Sequence, residues 1–123
     1  MTAARRVLVA DDNPDAATSL GMLLELLGHE VQTVNDGAQA VEIVPSFNPE
    51  FIFMDIGMPC VDGVEATRRI RCLDLPRQPV IVALTGWGQQ GDRDRSHAAG
   101  FDHHLVKPID LESIRSLIEG ANI

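Results

Sequence analysis

Val7-Leu8-Val9-Ala10-Asp11-Asp12 is the stretch that decides the fold, because an apolar run ends there directly in two carboxylates. Runs that are apolar at every position are typical of parallel strands buried on both faces. Three further runs end in polar residues of the same chemical set: Phe51–Met54 before Asp55, Val80–Leu84 before Thr85, and Leu105–Val106 before Lys107. The carboxyl ends of parallel strands share one edge of an open sheet, where ligands bind, so these polar side chains are expected to lie together.

Segments with helical spacing separate the apolar runs. Asn13 can cap a first helix with Pro14 at its first position, and leucines then recur at Leu20, Leu23, Leu24 and Leu27 before Gly28. A second strand, Val31–Val34, precedes a helix that begins after Asp36 and is expected to end near Pro45. Three further helices are expected. One follows Gly63, with Val64, Thr67 and Ile70 on one side, and one lies between Gly86-Trp87-Gly88 and Gly100. The last follows Asp110, and its inward-facing residues are expected to be Leu111, Ile114, Leu117 and Ile118.

The strand sequences predict their order in the sheet. Five βα units in series indicate a parallel sheet covered by helices on both faces. The second strand carries Gln32 and Thr33, and the fifth, His104–Val106, is short, so both suit the sheet edges. We therefore predict an α/β doubly wound parallel sheet of order 2-1-3-4-5. Its topological switch point, between strands one and three, would bring the three acids together.

Length and composition limit the possible functions. The 123 residues fit one domain, 1–123, and the net charge of -8 disfavours direct binding to nucleic acid or to an anionic membrane. Cys60 and Cys72 lack metal-type spacing and are expected to be free thiols in a reducing cytosol. The apolar run that follows Arg5-Arg6 is too short for a secretory leader or a membrane span. A cytoplasmic domain is expected.

Three acids at one edge indicate a divalent cation, because like charges resist ionising together. Mg²⁺ prefers hard oxygen ligands of the kind that Asp11, Asp12 and Asp55 supply. Asp55 can be a metal ligand, a nucleophile that forms an acyl phosphate, or a helix cap, and the cap is disfavoured because Ile56–Pro59 do not begin a helix. Asp11 and Asp12 can alternatively be capping residues for the helix at Pro14.

Thr85 and Lys107 add a hydroxyl and an ammonium group to the same edge. Alone, Thr85 would be an ordinary strand-end residue, and most lysines are solvated surface charges. Beside three acids and a cation, the hydroxyl can hydrogen-bond a phosphoryl oxygen and the long lysine can bring positive charge to it. Neutralising charge is the main task in phosphoryl transfer, so this edge is predicted to handle a phosphoryl group.

Six short motifs resemble, in order and over the whole chain, those of the receiver (CheY-like) domain of two-component response regulators. They are Asp11-Asp12, Met54-Asp55, Met58-Pro59, Asp62-Gly63, Leu84-Thr85 and Val106-Lys107-Pro108. The resemblance implies a flavodoxin-like (βα)5 fold. It also implies that Asp55 accepts a phosphoryl group from a histidine kinase or a phosphotransfer protein, and that the domain then changes its surface to regulate a partner or a fused module.

The same resemblance implies individual roles for the other site residues. Asp12 and the backbone carbonyl of Gly57 would bind Mg²⁺ directly, with Asp11 assisting through water. Thr85 and Lys107 would contact the phosphoryl group, and the Lys107-Pro108 bond would be cis.

Two stretches, Thr85–Gly88 and Gly100–Pro108, are similar to receivers fused behind histidine kinases. This chain departs from the commonest family pattern at His104, where the family often has Tyr or Phe that rotates inward on activation. His104 is therefore a candidate switch position. The only tryptophan, Trp87, is a second candidate, because it lies two residues beyond Thr85 between Gly86 and Gly88.

Three other classes of protein compete with the signalling phosphoacceptor, which would catalyse only its own phosphorylation and slow dephosphorylation. A phosphatase or phosphomutase with an aspartyl nucleophile would need a second acid two residues later, and Gly57 occupies that position. A flavin-binding electron carrier would need a phosphate-binding loop after the first strand, where Asp11–Asp15 would repel phosphate. A receiver that had lost its chemistry would not keep all five key residues.

Overall fold

The computed structural model describes residues 4–56, 63–85, 100–106 and 109–120. The strands are β1 (Arg6–Ala10), β2 (Glu30–Val34), β3 (Phe51–Asp55), β4 (Val80–Thr85) and β5 (His103–Val106). The helices in the described ranges are α1 (Pro14–Leu26), α2 (Gly37–Phe47), α3 (Gly63–Arg71) and α4 (Leu111–Gly120). The helix predicted between β4 and β5 falls on residues 86–99, outside the described residues.

The five strands within the described ranges form one parallel sheet in the order β2-β1-β3-β4-β5, which confirms the predicted topology. The three central strands are buried along nearly their whole length, whereas β2 and β5 expose side chains at the two edges. In the register, Ala10 pairs with Met54, and Asp55 pairs with Leu84. The residues that follow β1 and end β3 and β4 therefore lie side by side at one edge.

Each face of the sheet carries its own apolar core, because successive strand residues point to opposite faces. On one face Leu8, Ile52, Met54 and Ile81 pack beside residues of α2 and α3. On the other face Val9, Phe53 and Leu84 pack beside residues of α1 and α4, such as Leu24 and Ile114. The central strands are thus held on both sides, which fixes the edge at which the acids stand.

The first helix begins and ends where its sequence predicts. The Asn13 side chain accepts hydrogen bonds from the backbone N–H groups of Asp15 and Ala16, and Pro14 occupies the first helical position. The helix closes at Leu27 and Gly28, where the glycine has a φ of 92° that suits a residue without Cβ.

The second helix does not end at Pro45 as expected. It begins after Asp36, whose side chain accepts from the N–H of Gln39, and it continues to Phe47 with Pro45 inside it. Proline costs one helical hydrogen bond, but the N–H of Asn48 still donates to the Val44 carbonyl at 2.8 Å. Asn48 closes the helix in the left-handed conformation, with a φ of 54°.

Smaller differences concern element ends. β1, β2 and β5 each begin one residue before their predicted start, at Arg6, Glu30 and His103, and β3 and β4 each extend one residue further, to Asp55 and Thr85. The expected cap of α4 is confirmed, since Asp110 Oδ1 accepts from the N–H of Ser113 at 2.7 Å. Leu111, at the first position of α4, is 37% exposed, so the inward face of this helix begins one turn later, at Ile114.

No helix within the described ranges has the length and apolar character needed to cross a bilayer.

Candidate functional site

Three carboxylates meet at the carboxyl edge of the sheet. Asp11 follows β1, Asp12 is next along the chain, and Asp55 ends β3. Each offers an oxygen, and these oxygens all lie within 4.8 Å of one another. Asp11 and Asp55 are only 3% and 7% exposed, while Asp12 is open to solvent. The site therefore consists of two buried acids and one that is exposed at the surface.

Backbone hydrogen bonds hold Asp11 in place. Its N–H donates to the Val34 carbonyl at 3.1 Å, and its Oδ1 accepts from the N–H of Asn13 at 3.0 Å. The side-chain amide of Asn35 donates to the Asp11 carbonyl at 3.2 Å. Because Asn13 supplies the cap of α1, the alternative in which Asp11 or Asp12 caps that helix is wrong.

Asp55 stands where α3 meets the sheet. Ile56 extends the β3–β4 pairing by one step, since its N–H donates to the Leu84 carbonyl at 3.3 Å. The first residue of α3, Gly63, packs directly on this backbone: a Cβ there would collide with the Asp55 carbonyl oxygen and lie 2.8 Å from Ile56 Cα. Glycine at position 63 therefore allows α3 to begin against the strand end that carries Asp55.

Thr85 ends the neighbouring strand at the same edge. Asp55 pairs with Leu84, so Thr85 lies one residue further along β4. Its side chain is buried, and its hydroxyl donates to the Leu105 carbonyl of β5 at 3.4 Å. A hydrogen bond of this length is weak, which leaves the hydroxyl able to exchange its partner at low cost.

The other predicted site residues divide into two groups. Gly57, Trp87 and Lys107 lie outside the described residues. His104 lies in β5, paired in register with Ala83, and its ring centroid is 6.0 Å from that of Phe101 at an interplanar angle of 45°. It is partly buried and stands two residues before Val106, the partner of Thr85.

Sequence reasoning missed Asn35, which supports the Asp11 backbone. The signal was available, because β2 also ends in polar residues, Asn35-Asp36, at the carboxyl edge. Polar residues after an edge strand can mark a helix start, but they also lie at the carboxyl edge of the sheet, where ligands bind.

Comparison with known proteins gives the class of protein. The model of the response regulator receiver domain family matches residues 7–119. The signal transduction histidine-protein kinase BarA of Shigella flexneri is 35% identical over 115 residues, which cover 94% of this chain but only 12% of the kinase. The chain therefore spans a small part of the length of that relative.

Two solved structures have the same fold. The receiver domain of sensor histidine kinase PA1611 from Pseudomonas aeruginosa PAO1 has a TM-score of 0.86 and 35% identity, covering 96% of this chain and 97% of that one. That domain has a magnesium ion coordinated in its active site cleft. The receiver domain of the Saccharomyces cerevisiae response regulator Ssk1, solved in complex with the histidine phosphotransfer protein Ypd1, has a TM-score of 0.85 and 26% identity, covering 96% and 88% of the two chains.

The chain belongs to the response regulator receiver domain family and has the CheY-like, flavodoxin-like fold, with five parallel strands in the order 2-1-3-4-5 among the described residues. It is a receiver domain of two-component signalling. Its relatives include receivers joined to histidine kinases.

Proposed function

We propose that this receiver is a phosphoacceptor switch in which Asp55 takes a phosphoryl group from a phosphohistidine donor in a Mg²⁺-dependent reaction. The observation that carries the proposal is that carboxylate oxygens of Asp11, Asp12 and Asp55 lie within 4.8 Å of one another. Asp55 pairs with Leu84 on the next strand, and Thr85 follows Leu84. Phosphorylation would change the surface of the domain and so regulate a partner or a fused module.

The residues present fit a magnesium ion. The donor set consists of hard carboxylate oxygens, which Mg²⁺ prefers, and no thiolate belongs to the described cluster. Asp11, Asp12 and Asp55 would hold the ion, together with the Gly57 carbonyl that the family resemblance adds. When bound, the ion supplies positive charge against the phosphoryl oxygens and the carboxylates. The receiver of PA1611, at 35% identity, has magnesium in its cleft, which supports the same assignment here.

Asp55 supplies the nucleophile. One carboxylate oxygen forms a bond to phosphorus while the bond between phosphorus and the donor's imidazole nitrogen breaks, and the imidazole leaves with the electron pair and takes up a proton. The buried position of Asp55 at the end of a central strand keeps its geometry fixed during the transfer. The domain would catalyse its own phosphorylation and also its own dephosphorylation, which would be slow. It would not turn over a separate substrate.

Thr85 and Lys107 would receive the new phosphoryl oxygens. The Thr85 hydroxyl would leave the Leu105 carbonyl, to which it is now weakly bonded, and donate to a phosphoryl oxygen. Lys107, directly after Val106 in the sequence, would supply positive charge. Because Leu105 lies next to His104 in β5, the exchange at Thr85 would change the edge strand that carries the candidate switch residue.

A histidine kinase or a phosphotransfer protein is the proposed donor. The Ssk1 receiver forms a complex with the phosphotransfer protein Ypd1, and BarA carries a related receiver within a kinase chain. A fused kinase or a separate effector would receive the output. We place the domain in the cytoplasm. Its net charge of -8 disfavours direct binding to nucleic acid or to an anionic membrane, so we propose neither as a partner.

The experiment uses acetyl phosphate and Mg²⁺, followed by intact mass measurement. The parent should gain one phosphoryl group, and Asp55→Asn should gain none because an amide is not a nucleophile here. Asp36→Asn is the matched control, since Asp36 follows β2 and caps α2 outside the acid cluster, and asparagine caps equally well. Unchanged labelling of Asp55→Asn would refute the assignment of Asp55.

A further inference from the structure

Arg71, the last residue of α3, joins two other segments of the chain. Its Nε and Nη2 donate to the Gly100 carbonyl at 3.0 and 2.6 Å. Its Nη1 donates to the Pro79 carbonyl at 2.8 Å and to Gln78 Oε1 at 3.1 Å, just before β4. Its Nη2 also donates to Asp102 Oδ2 at 2.7 Å, just before β5. One guanidinium thus contacts the entries to both β4 and β5.

Asp102 connects this contact to the pairing of β5 with β4. Its backbone N–H donates to the Ile81 carbonyl at 2.8 Å, and its Oδ2 accepts from the N–H of Ile81 at 2.9 Å. Both backbone groups of Ile81 are therefore bonded to one residue. The next pair in the register is Val82 with His103, so the position of Asp102 determines which residue of β5 faces which residue of β4.

The residues of β5 specify that register only weakly. The strand has four residues at the edge of the sheet, and its two ends are exposed. Leu105 is only partly buried and Val106 is 37% exposed. Register is strongly specified where one face is buried and weakly specified where it is not. Just before the strand, Phe101 is buried in the core, and the polar contacts of Gly100 and Asp102 on either side of it add to the specification.

The register matters for the site at the other end of β5. It pairs Thr85 with Val106 and brings the Leu105 carbonyl within hydrogen-bond reach of the Thr85 hydroxyl. Lys107 directly follows Val106 in the sequence. A slip of β5 would therefore change both what Thr85 contacts and where the chain continues towards Lys107.

We propose, on the basis of the phosphoacceptor function above, that Arg71 is a positioning residue: through Asp102 and Gly100 it fixes the register of β5 and so aligns Thr85 with β5 for binding the phosphoryl group. The simpler alternative is a partly exposed ion pair, and such pairs contribute little to stability. Arg71, however, also bonds two backbone carbonyls. Gly100, with a φ of 114°, brings its backbone so close that a Cβ would lie 2.8 Å from Arg71 Cγ.

Arg71→Gln tests the proposal, with Arg69→Gln as the matched control. Arg69 lies two residues earlier on α3 and pairs only with Glu65, on the same helix, among the contacts described. Two quantities are compared: the Kd for Mg²⁺, and the acetyl phosphate concentration that half-saturates the phosphorylation rate. Asp11 and Asp12 follow β1 and Asp55 ends β3, and β4 separates these strands from β5, so Arg71→Gln should leave the Kd for Mg²⁺ unchanged.

The half-saturating acetyl phosphate concentration should rise by about tenfold in Arg71→Gln, because small misplacements of binding groups are costly in phosphoryl binding. It should stay at the parent value in Arg69→Gln. Asp102→Asn is the second variant. It keeps an oxygen for the Ile81 N–H but loses the charge that faces Arg71, and it should shift the same quantity in the same direction by less.

NMR cross-strand contacts between Thr85 and Val106 give a readout that does not depend on phosphorylation. They should weaken or move in Arg71→Gln and persist in Arg69→Gln. Parent protein that is not labelled would overturn the phosphoacceptor function but leave this readout intact. Unchanged contacts and unchanged acetyl phosphate dependence in Arg71→Gln and Asp102→Asn would overturn the role of Arg71. A weaker Kd for Mg²⁺ in Arg71→Gln, accompanied by a lower melting temperature, would also overturn it, because it would indicate general destabilisation of the domain.

Discussion

Removing the charge of Asp12 should have opposite effects on the domain with and without Mg²⁺. Asp12 is the best of the three acids for this test, because its side chain is exposed, whereas Asp11 accepts a hydrogen bond from the Asn13 backbone and Asp55 is buried. The Asp12→Asn side chain keeps the same shape. It removes one negative charge and little else.

The size of the effect follows from the distance between the carboxylates. Two unit charges 4.8 Å apart repel by about 0.9 kcal/mol in bulk water and by about 3.5 kcal/mol at an effective dielectric constant of about 20. The lower value applies to an exposed group, and Asp12 has two neighbouring acids, so the gross repulsion is about 1–2 kcal/mol. Screening at physiological salt, where the Debye length is about 8 Å, reduces it to about 1 kcal/mol.

Asp12→Asn should therefore melt about 4 °C higher than the parent in chelator, as expected for about 1 kcal/mol in a domain of this size. With Mg²⁺ the variant should gain less stability than the parent, because it has lost a negatively charged ligand. Changes in the outer coordination shell alone cost roughly 10–100-fold in metal affinity, so the Kd should weaken by at least about tenfold. Thermal melts in chelator and in Mg²⁺, with a Mg²⁺ titration, measure all three quantities.

Asp15→Asn is the control for a change of net charge. Asp15 is an exposed acid in the first turn of α1, outside the acid cluster, where a negative charge is mildly favourable to the helix. This variant should be neutral or slightly destabilised in chelator and should bind Mg²⁺ as the parent does. If Asp12→Asn bound Mg²⁺ as tightly as the parent, or melted lower in chelator, the account of the acid cluster would be refuted.

Three further predictions concern other parts of the domain. Lys107→Arg keeps the charge but not the shape, so it should impair phosphorylation-dependent change more than Mg²⁺ binding, and equal switching in variant and parent would count against a phosphoryl contact. The fluorescence of Trp87, two residues beyond Thr85, should change on addition of acetyl phosphate and Mg²⁺ to the parent but not to Asp55→Asn; a flat signal at full phosphorylation would show that Trp87 does not report the switch. Burial, followed by the positive charge of Arg5, lowers the pKa of His29 below its usual 6.5, so the unfolded chain binds the proton more readily and stability should fall as pH drops below that value. His29→Gln should lose part of this acid sensitivity in urea titrations across pH 5–8, and an unchanged pH dependence would contradict it.

The sheet and the acid cluster could be predicted because they depend on local sequence. Apolar runs that end in polar residues define both the parallel strands and the edge at which those residues meet, and the structure brings Asp11, Asp12 and Asp55 together there. The position of Asn13 before Pro14 and of Gly28 after the last leucine likewise fixed the ends of α1.

Other features could not be predicted, because they depend on contacts far apart in sequence. Arg71 is 29 and 31 residues from Gly100 and Asp102, and nothing near it in the sequence distinguishes it from Arg68 or Arg69. Pro45 misled the prediction for a different reason: proline disfavours helix, but Asn48 in the left-handed conformation closes the helix beyond it.

The most direct test of the central claim is to locate the phosphoryl group. The domain is treated with acetyl phosphate and Mg²⁺, the acyl phosphate is trapped by borohydride reduction, and the modified residue is identified by peptide mass spectrometry. The account predicts modification of Asp55 alone, dependent on Mg²⁺ and absent in chelator. Modification of Asp11 or Asp12, or labelling of Asp55 that is equally fast in chelator, would contradict it.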